Sequence, residues 1–182
     1  MPFDIIKNNT KLEQILLSFI DILRINILIV DTHGNSILAP KTDNYGWYWA
    51  SQFGFLQHLG TPQLLSNFQK EGHYLKSIDA FGFQSFAIPI VNKENNDIAG
   101  YLMVGPVILN KRLEQDAYKA IAGKSGTNIN DLSKSLNEIR VVTFNSLKSI
   151  LDLLFELSQY AFRINGINYE EKAIHKATVN FP

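Results

Sequence analysis

The sequence predicts one α+β domain, a central antiparallel β-sheet flanked by helices. Three observations predict it. Gln84–Asn92 and Asp97–Leu109 are apolar, β-rich runs on either side of the polar turn Lys93–Asn96, the pattern of a long hairpin. Two segments with apolar residues at helical spacing, one near the N terminus and one at Phe144–Ile164, bracket the strand-rich middle. With 182 residues, 46% of them hydrophobic, the chain suits a single compact core.

Taken in order, Leu12, Ile15, Leu16, Phe19, Ile20 and Leu23 predict a helix over Lys11–Arg24, with Thr10 and Glu13 at capping-box spacing. Asn26–Asp31 is rich in β-branched residues and ends at the turn His33-Gly34-Asn35. Ser36–Ala39 follows as a second short strand that Pro40 stops. Tyr45–Gly60 holds Tyr45, Trp47, Tyr48, Trp49, Phe53 and Phe55, including both tryptophans. It has neither a helical nor a strand period and reads as loop. Thr61-Pro62 opens a predicted helix that ends near Gly72. Tyr74–Ile78 reads as a strand.

Within the hairpin, Pro89 and Pro106 cannot donate to a ladder, which predicts bulges or an edge position. Arg112–Ala122 is a predicted helix stopped by Gly123, and Ile129–Ile139 another. In Phe144–Ile164 the residues Leu147, Ile150, Leu154, Leu157, Ala161 and Ile164 step by three and four, a coiled-coil-like seam. Leu151, Phe155 and Phe162 widen it, so the helix is expected to be covered by its own sheet and by a second copy of the chain. The domain is expected over 1–165, with 166–182 as a polar tail.

Composition excludes several functions. Seventeen basic and 17 acidic residues leave no basic excess for neutralising phosphates, so no nucleic-acid contact is expected. Absent cysteine removes disulfides, thiolate zinc sites, iron–sulfur clusters and cysteine nucleophiles. No apolar run approaches the roughly 18 residues that span a bilayer, and Met1–Thr10 has no signal-peptide pattern. A non-membrane, cytoplasmic domain is expected.

The chemical motifs are thin. Gly123-Lys124-Ser125 lacks the glycine five positions earlier that a phosphate loop needs, Tyr118 standing there, and it follows a helix rather than a strand. It reads as a helix C-cap. His33, His58, His73 and His175 form no i, i+4 pair, and no metal site is expected. Ser85 lies inside a strand, not on a nucleophile elbow. Asp79 is the best lone carboxylate, read as a surface-loop residue. No catalytic set assembles, so no enzyme is expected and no cofactor is implied. The aromatic segment has two readings that stay open: ordinary core, or the wall of a small-molecule pocket.

Three stretches, in order, carry a family likeness: Asn26–Ala39 (NILIVDTHGNSILA), Phe81–Ile90 (FGFQSFAIPI) and Gly100–Val107 (GYLMVGPV). They match an opening hairpin, a glycine–aromatic F-A-x-P-I signature, and the strand after it. Over Leu12–Ile164 the chain resembles the PocR-type sensory domain, a PAS-like family. Many members carry a cysteine–histidine pair just before the glycine matching Gly82. Asp79 and Ala80 stand there in this chain, so no metal or redox role carries over.

The resemblance implies a PAS-like sheet with a long C-terminal helix. It implies a cytoplasmic ligand-sensing module of bacterial signalling proteins such as AraC-type transcription regulators or kinases, with an effector domain C-terminal to it. The expected ligand is a small organic molecule: a diol, sugar or hydrocarbon derivative. The pocket candidates are Trp47, Trp49, His58, Tyr74, Phe83, Ser85, Tyr101 and Met103. The expected output element and homodimer contact is Phe144–Ile164. The competing reading is a ligand-free PAS-like dimerisation module.

Overall fold

The computed structural model describes residues 10–39, 44–91 and 96–159. Helix α1 (Thr10–Leu23) leads into strands β1 (Ile27–Asp31) and β2 (Ser36–Leu38). Helix α2 (Trp47–Phe53) and two single 3-10 turns, Phe55–His58 and Pro62–Leu65, connect to β3 (Gln69–Glu71) and β4 (Tyr74–Ile78). The long strands β5 (Phe83–Val91) and β6 (Ile98–Leu109) follow, then α3 (Gln115–Ser125), α4 (Ile129–Glu138) and β7 (Val141–Val142). Residues 144–159 form a further helix, α5. The strands make one sheet in the order β2-β1-β6-β5-β4-β3, antiparallel throughout, with β7 parallel to the end of β6. The α+β class and its antiparallel sheet therefore stand as the sequence predicts.

Strand alternation gives the sheet two different faces. Ile27, Ile29, Phe86, Ile88, Leu102 and Val104 point to one, where Leu12, Leu16 and Ile20 of α1 and Leu147, Ile150, Leu151 and Leu154 of α5 cover them. Leu28, Val30, Ala87 and Met103 point to the other and pack against Ala50, Phe55, Leu56 and Leu64 of the aromatic segment. A third cluster extends that second face, with Trp49, Phe83 and Ile108 against Tyr118 and Ala122 of α3 and Leu132 of α4. The Arg140 guanidinium donates to the Leu23 carbonyl at the end of α1, tying one layer to the other.

Several local expectations are corrected. Thr10 is already helical, so it does not cap α1. The helix expected from Pro62 to Gly72 is one 3-10 turn, because the chain must straighten to pair Gln69–Glu71 with β4. The aromatic segment is not loop: Trp47–Phe53 is helical, with Trp49 and Ala50 turned inward. Helix α3 begins at Gln115 rather than Arg112. It runs through Gly123 to a left-handed cap at Gly126, φ 69°. Thr127 N–H bonds back to the Ala122 carbonyl, so the stop lies three residues later than expected.

Neither proline occupies an edge strand, since β5 and β6 are central. Pro89 lies beyond the end of β4, whose Leu75 is already opposite Ala87. Its carbonyl accepts from Gln159 of α5 at 3.3 Å, so the missing N–H leaves no ladder bond unmade. Pro106 sits in a bulge, where Gly105 and Pro106 together oppose Ser85. The Gly105–Pro106 peptide is cis. Gly105 has φ 123°, and a Cβ there would lie 2.9 Å from the Gln84 carbonyl oxygen, so only glycine fits.

The seam Leu147–Ile150–Leu154 is buried against the chain's own sheet and α1. It is therefore not available for a second copy, as the sequence pattern had suggested. Residues 160–164 of the expected helix and the 166–182 tail lie outside the described residues, as does most of the hairpin turn.

Candidate ligand-binding site

The second sheet face does not close completely. Between α2 with its following 3-10 turns and the strands β4, β5 and β6 lies a cavity of about 160 Å³. Local chemistry fixes its walls. Asn26, fully buried, donates from Nδ2 to the Asn44 and Tyr45 carbonyls at 3.1 and 2.8 Å, anchoring the entry to α2. Gly46 then turns the chain at φ 79°, where a Cβ would strike the Ile139 side chain at 2.5 Å. The absent side chain lets α2 settle against the end of α4.

Trp49 is the inner wall and is 1% exposed. Its ring meets Phe81 and Phe83 edge-on at centroid distances of 4.9 and 5.1 Å and packs on Phe53 at 4.6 Å. Its indole N–H donates to Asp79 Oδ2 at 3.0 Å. Asp79 sits in the turn between β4 and β5, where Oδ1 accepts the N–H groups of Phe81 and Phe83 at 2.9 and 3.0 Å. Burial pushes the Asp79 carboxyl above its usual range, and the bonds from Trp49, Phe83, Phe81 and Gly82 pull against that. The surface-loop reading of this residue is thus replaced by that of a partly buried turn residue fastened to α2.

Aromatic faces from Trp49, Phe53, Phe55, Phe68 and Phe83 dominate the lining, and the polar side chains are His58, Asn67, Ser77, Asp79 and Ser85. Ser77 and Ser85 stand directly opposite each other on β4 and β5. Neither hydroxyl bonds to another described residue. Ser85 lies between fully buried Phe83 and Ala87 on its strand, yet it is itself partly accessible because it borders the cavity.

Of the residues singled out from sequence, Trp49, His58, Phe83 and Ser85 line this cavity. Met103, Tyr101 and Trp47 lie on the same sheet face but pack into the neighbouring cluster around Leu28 and Ala87. Tyr74 lies on the opposite face, 5.6 Å ring to ring from Phe86. Sequence reasoning missed Ser77, Asn67 and Phe68 as wall residues, and held Phe53 and Phe55 only within the aromatic segment read as core or pocket wall. Ser77 keeps the parity of Leu75, but only the pairing of β4 with β5 shows that this parity is the cavity side.

Among the described residues no group of three or more His, Asp or Glu side chains is placed to hold a metal ion. No helix of the described residues is long and apolar enough to cross a membrane.

Compared with known proteins, the chain matches the family model described as the sensory domain found in PocR, over residues 4–165. No curated protein and no solved structure matches it. A sensory-domain family points to a non-enzymatic, ligand-sensing role. The match spans the whole sheet and both helical layers around the cavity, and the chain belongs to the PocR sensory-domain family.

Proposed function

We propose that this chain senses a small organic molecule held in the cavity between α2 and strands β4–β6. One observation carries the reading: five aromatic side chains wall a partly open pocket of about 160 Å³ beside two facing serine hydroxyls that bond to no other described residue. Binding sites for small molecules combine such apolar walls with a few placed polar groups. A diol, a sugar or a hydroxylated hydrocarbon matches both the volume and the hydroxyl pair. The same cavity opposes the ligand-free dimerisation module, for which a filled core is expected.

The signal leaves through the terminal helices to an effector domain of a bacterial transcription regulator or related signalling protein. Strand β4 supports this route. It carries Ser77 at the cavity, and at its other end His73, just before the strand, reaches Asp152 and Phe155 of α5. A ligand shifts such an arrangement only by binding one state better than the other.

A thermal-shift screen against diols, sugars, short acids and small hydrocarbons tests the proposal. A ligand at a hundred times its dissociation constant adds about 2.7 kcal/mol of stability, a clear rise in Tm. The expected result is a concentration-dependent rise that Trp49→Ala abolishes. No rise across a broad library overturns the ligand reading.

A further inference from the structure

The cavity wall carries one formal charge to which binding has so far given no role. Asp79 is the sole carboxylate among the lining residues, and neither lysine nor arginine is among them. Its oxygens accept three N–H groups, from Trp49, Phe81 and Phe83. The ion pairs His73–Asp152, Lys76–Glu71 and Lys119–Asp116 all lie elsewhere. His58 is the other titratable lining group.

A carboxylate in a partly buried, aromatic-walled site acts on a neighbouring charge more strongly than one in bulk water, because the interaction scales inversely with the local dielectric. We infer that Asp79 is a specificity-determining residue, a charge filter that keeps anions out of the cavity and selects the alcohol over the carboxylic acid of the same skeleton. The inference rests on the cavity being the ligand site.

One effect works against it. The Ser77 and Ser85 hydroxyls can both donate, and two donors suit a carboxylate as well as an alcohol. The carboxylate must however give up part of its water beside Asp79, with neither lysine nor arginine in the wall. The cost of burying an unpaired charge exceeds what two neutral donors return. An alcohol pays no such desolvation penalty and uses each hydroxyl as donor or acceptor.

Matched pairs test this directly: butane-1,3-diol with 3-hydroxybutyrate, glycerol with glycerate, and benzyl alcohol with benzoate. Each is titrated calorimetrically into the full chain at pH 8. For a pair whose alcohol binds, the acid is expected to bind about tenfold more weakly or worse. Asp79→Asn removes the charge and is expected to shrink that ratio to about threefold or less. Asp79→Ser, whose hydroxyl can still accept the turn's N–H groups, provides the same neutralisation should the asparagine variant fold poorly. The ratio is expected to persist in His58→Gln.

An acid that binds as well as its alcohol, or a ratio unchanged by neutralising Asp79, overturns the filter and leaves the cavity reading standing. A ratio lost in His58→Gln overturns it too, by assigning discrimination to the imidazole. If no member of any pair binds, the cavity reading itself fails and the filter falls with it.

Discussion

The indole N–H of Trp49 donates to the Asp79 carboxylate at 3.0 Å, fastening α2 to the turn between β4 and β5 in the wall of the aromatic cavity. These residues are far apart in sequence, and each fixes what the other needs. The carboxylate satisfies a buried indole, which would otherwise lose a hydrogen bond. The indole helps hold a charge that its surroundings disfavour.

That relationship gives stability a pH signature. Burial raises the Asp79 pKa above 3.8, so the folded state binds this proton more tightly than the unfolded chain. Its contribution is then full below about pH 3.8 and declines as pH rises through the folded value. Asp31 has the opposite sign. Burial works to raise its pKa too. The side-chain and backbone bonds from Asn35 and the His33 N–H outweigh that and hold it below 3.8. Its contribution is present above that value and lost as pH falls through the folded one. Urea midpoints measured from pH 3 to 8 are expected to lose their alkaline-side decline in Asp79→Asn and part of their acid-side loss in Asp31→Asn. The asparagine at 79 also sets two donors against each other at Trp49, costing about 1–3 kcal/mol at every pH. The slope, not the offset, is therefore the test.

The sheet was legible because its pattern is local. The β5–β6 hairpin, the β1–β2 turn and the apolar stripe of α1 each announce themselves within a dozen residues. The aromatic segment was not legible as structure, because Trp47–Phe53 is a helix too short for its period to repeat. Its inward residue, Trp49, is fixed by Phe81, Phe83 and Asp79, thirty or more positions away. Four of the eight pocket candidates line the cavity since strand parity and aromatic content are readable, while Tyr74 misses because β4 could not be phased without its partner. The α5 seam misled for a related reason: a stripe of Leu147, Ile150 and Leu154 looks the same whether it faces a second copy or the chain's own sheet.

Filling the cavity separates binding from folding. Ser85→Leu places a branched side chain beside Ser77 and Pro106, in space that the fold leaves open. Stability is expected to change by no more than about 1–3 kcal/mol, the range for adding volume to a core. The ligand-induced rise in Tm is expected to vanish. Tyr74→Phe, on the opposite sheet face, is expected to leave that rise intact. A rise that survives Ser85→Leu places the ligand outside this cavity.

A homodimer through α5, as the sequence leads one to expect, would use the outer side of the helix, since its seam is occupied. Leu153 is 51% exposed whereas its neighbour Leu154 is fully buried. Leu153→Lys is expected to change stability by about 0.5 kcal/mol or less and to lower the sedimentation coefficient to that of a monomer. Leu154→Lys buries an unpaired charge and is expected to unfold the domain outright. A dimer that persists in Leu153→Lys assigns the pairing to another surface.

Occupancy of the cavity is expected to reach α5 through the turn between β3 and β4. His73, in the turn between β3 and β4, places Nε2 3.3 Å from Asp152 Oδ1 and its ring 4.6 Å from that of Phe155. Both partners belong to α5, and the strand that follows His73 carries Ser77 to the cavity wall. Both side chains are more than a third exposed, so the contact contributes only about 0–1 kcal/mol to stability. A contact that weak is poor cement, but it is well suited to a linkage that must make and break. His73→Ala is therefore expected to leave the melting temperature and the ligand dissociation constant nearly unchanged. Hydrogen exchange is the measurement that separates the possibilities. In the wild-type chain, ligand is expected to slow exchange at amides of 144–159 as well as around the cavity. In His73→Ala the cavity amides should still slow while those of α5 no longer respond. The Gln159–Pro89 bond is a second tie between the helix and β5, so α5 stays docked and its unliganded exchange serves as the control. Equal slowing of α5 in both proteins would show that the signal travels by a route other than this turn.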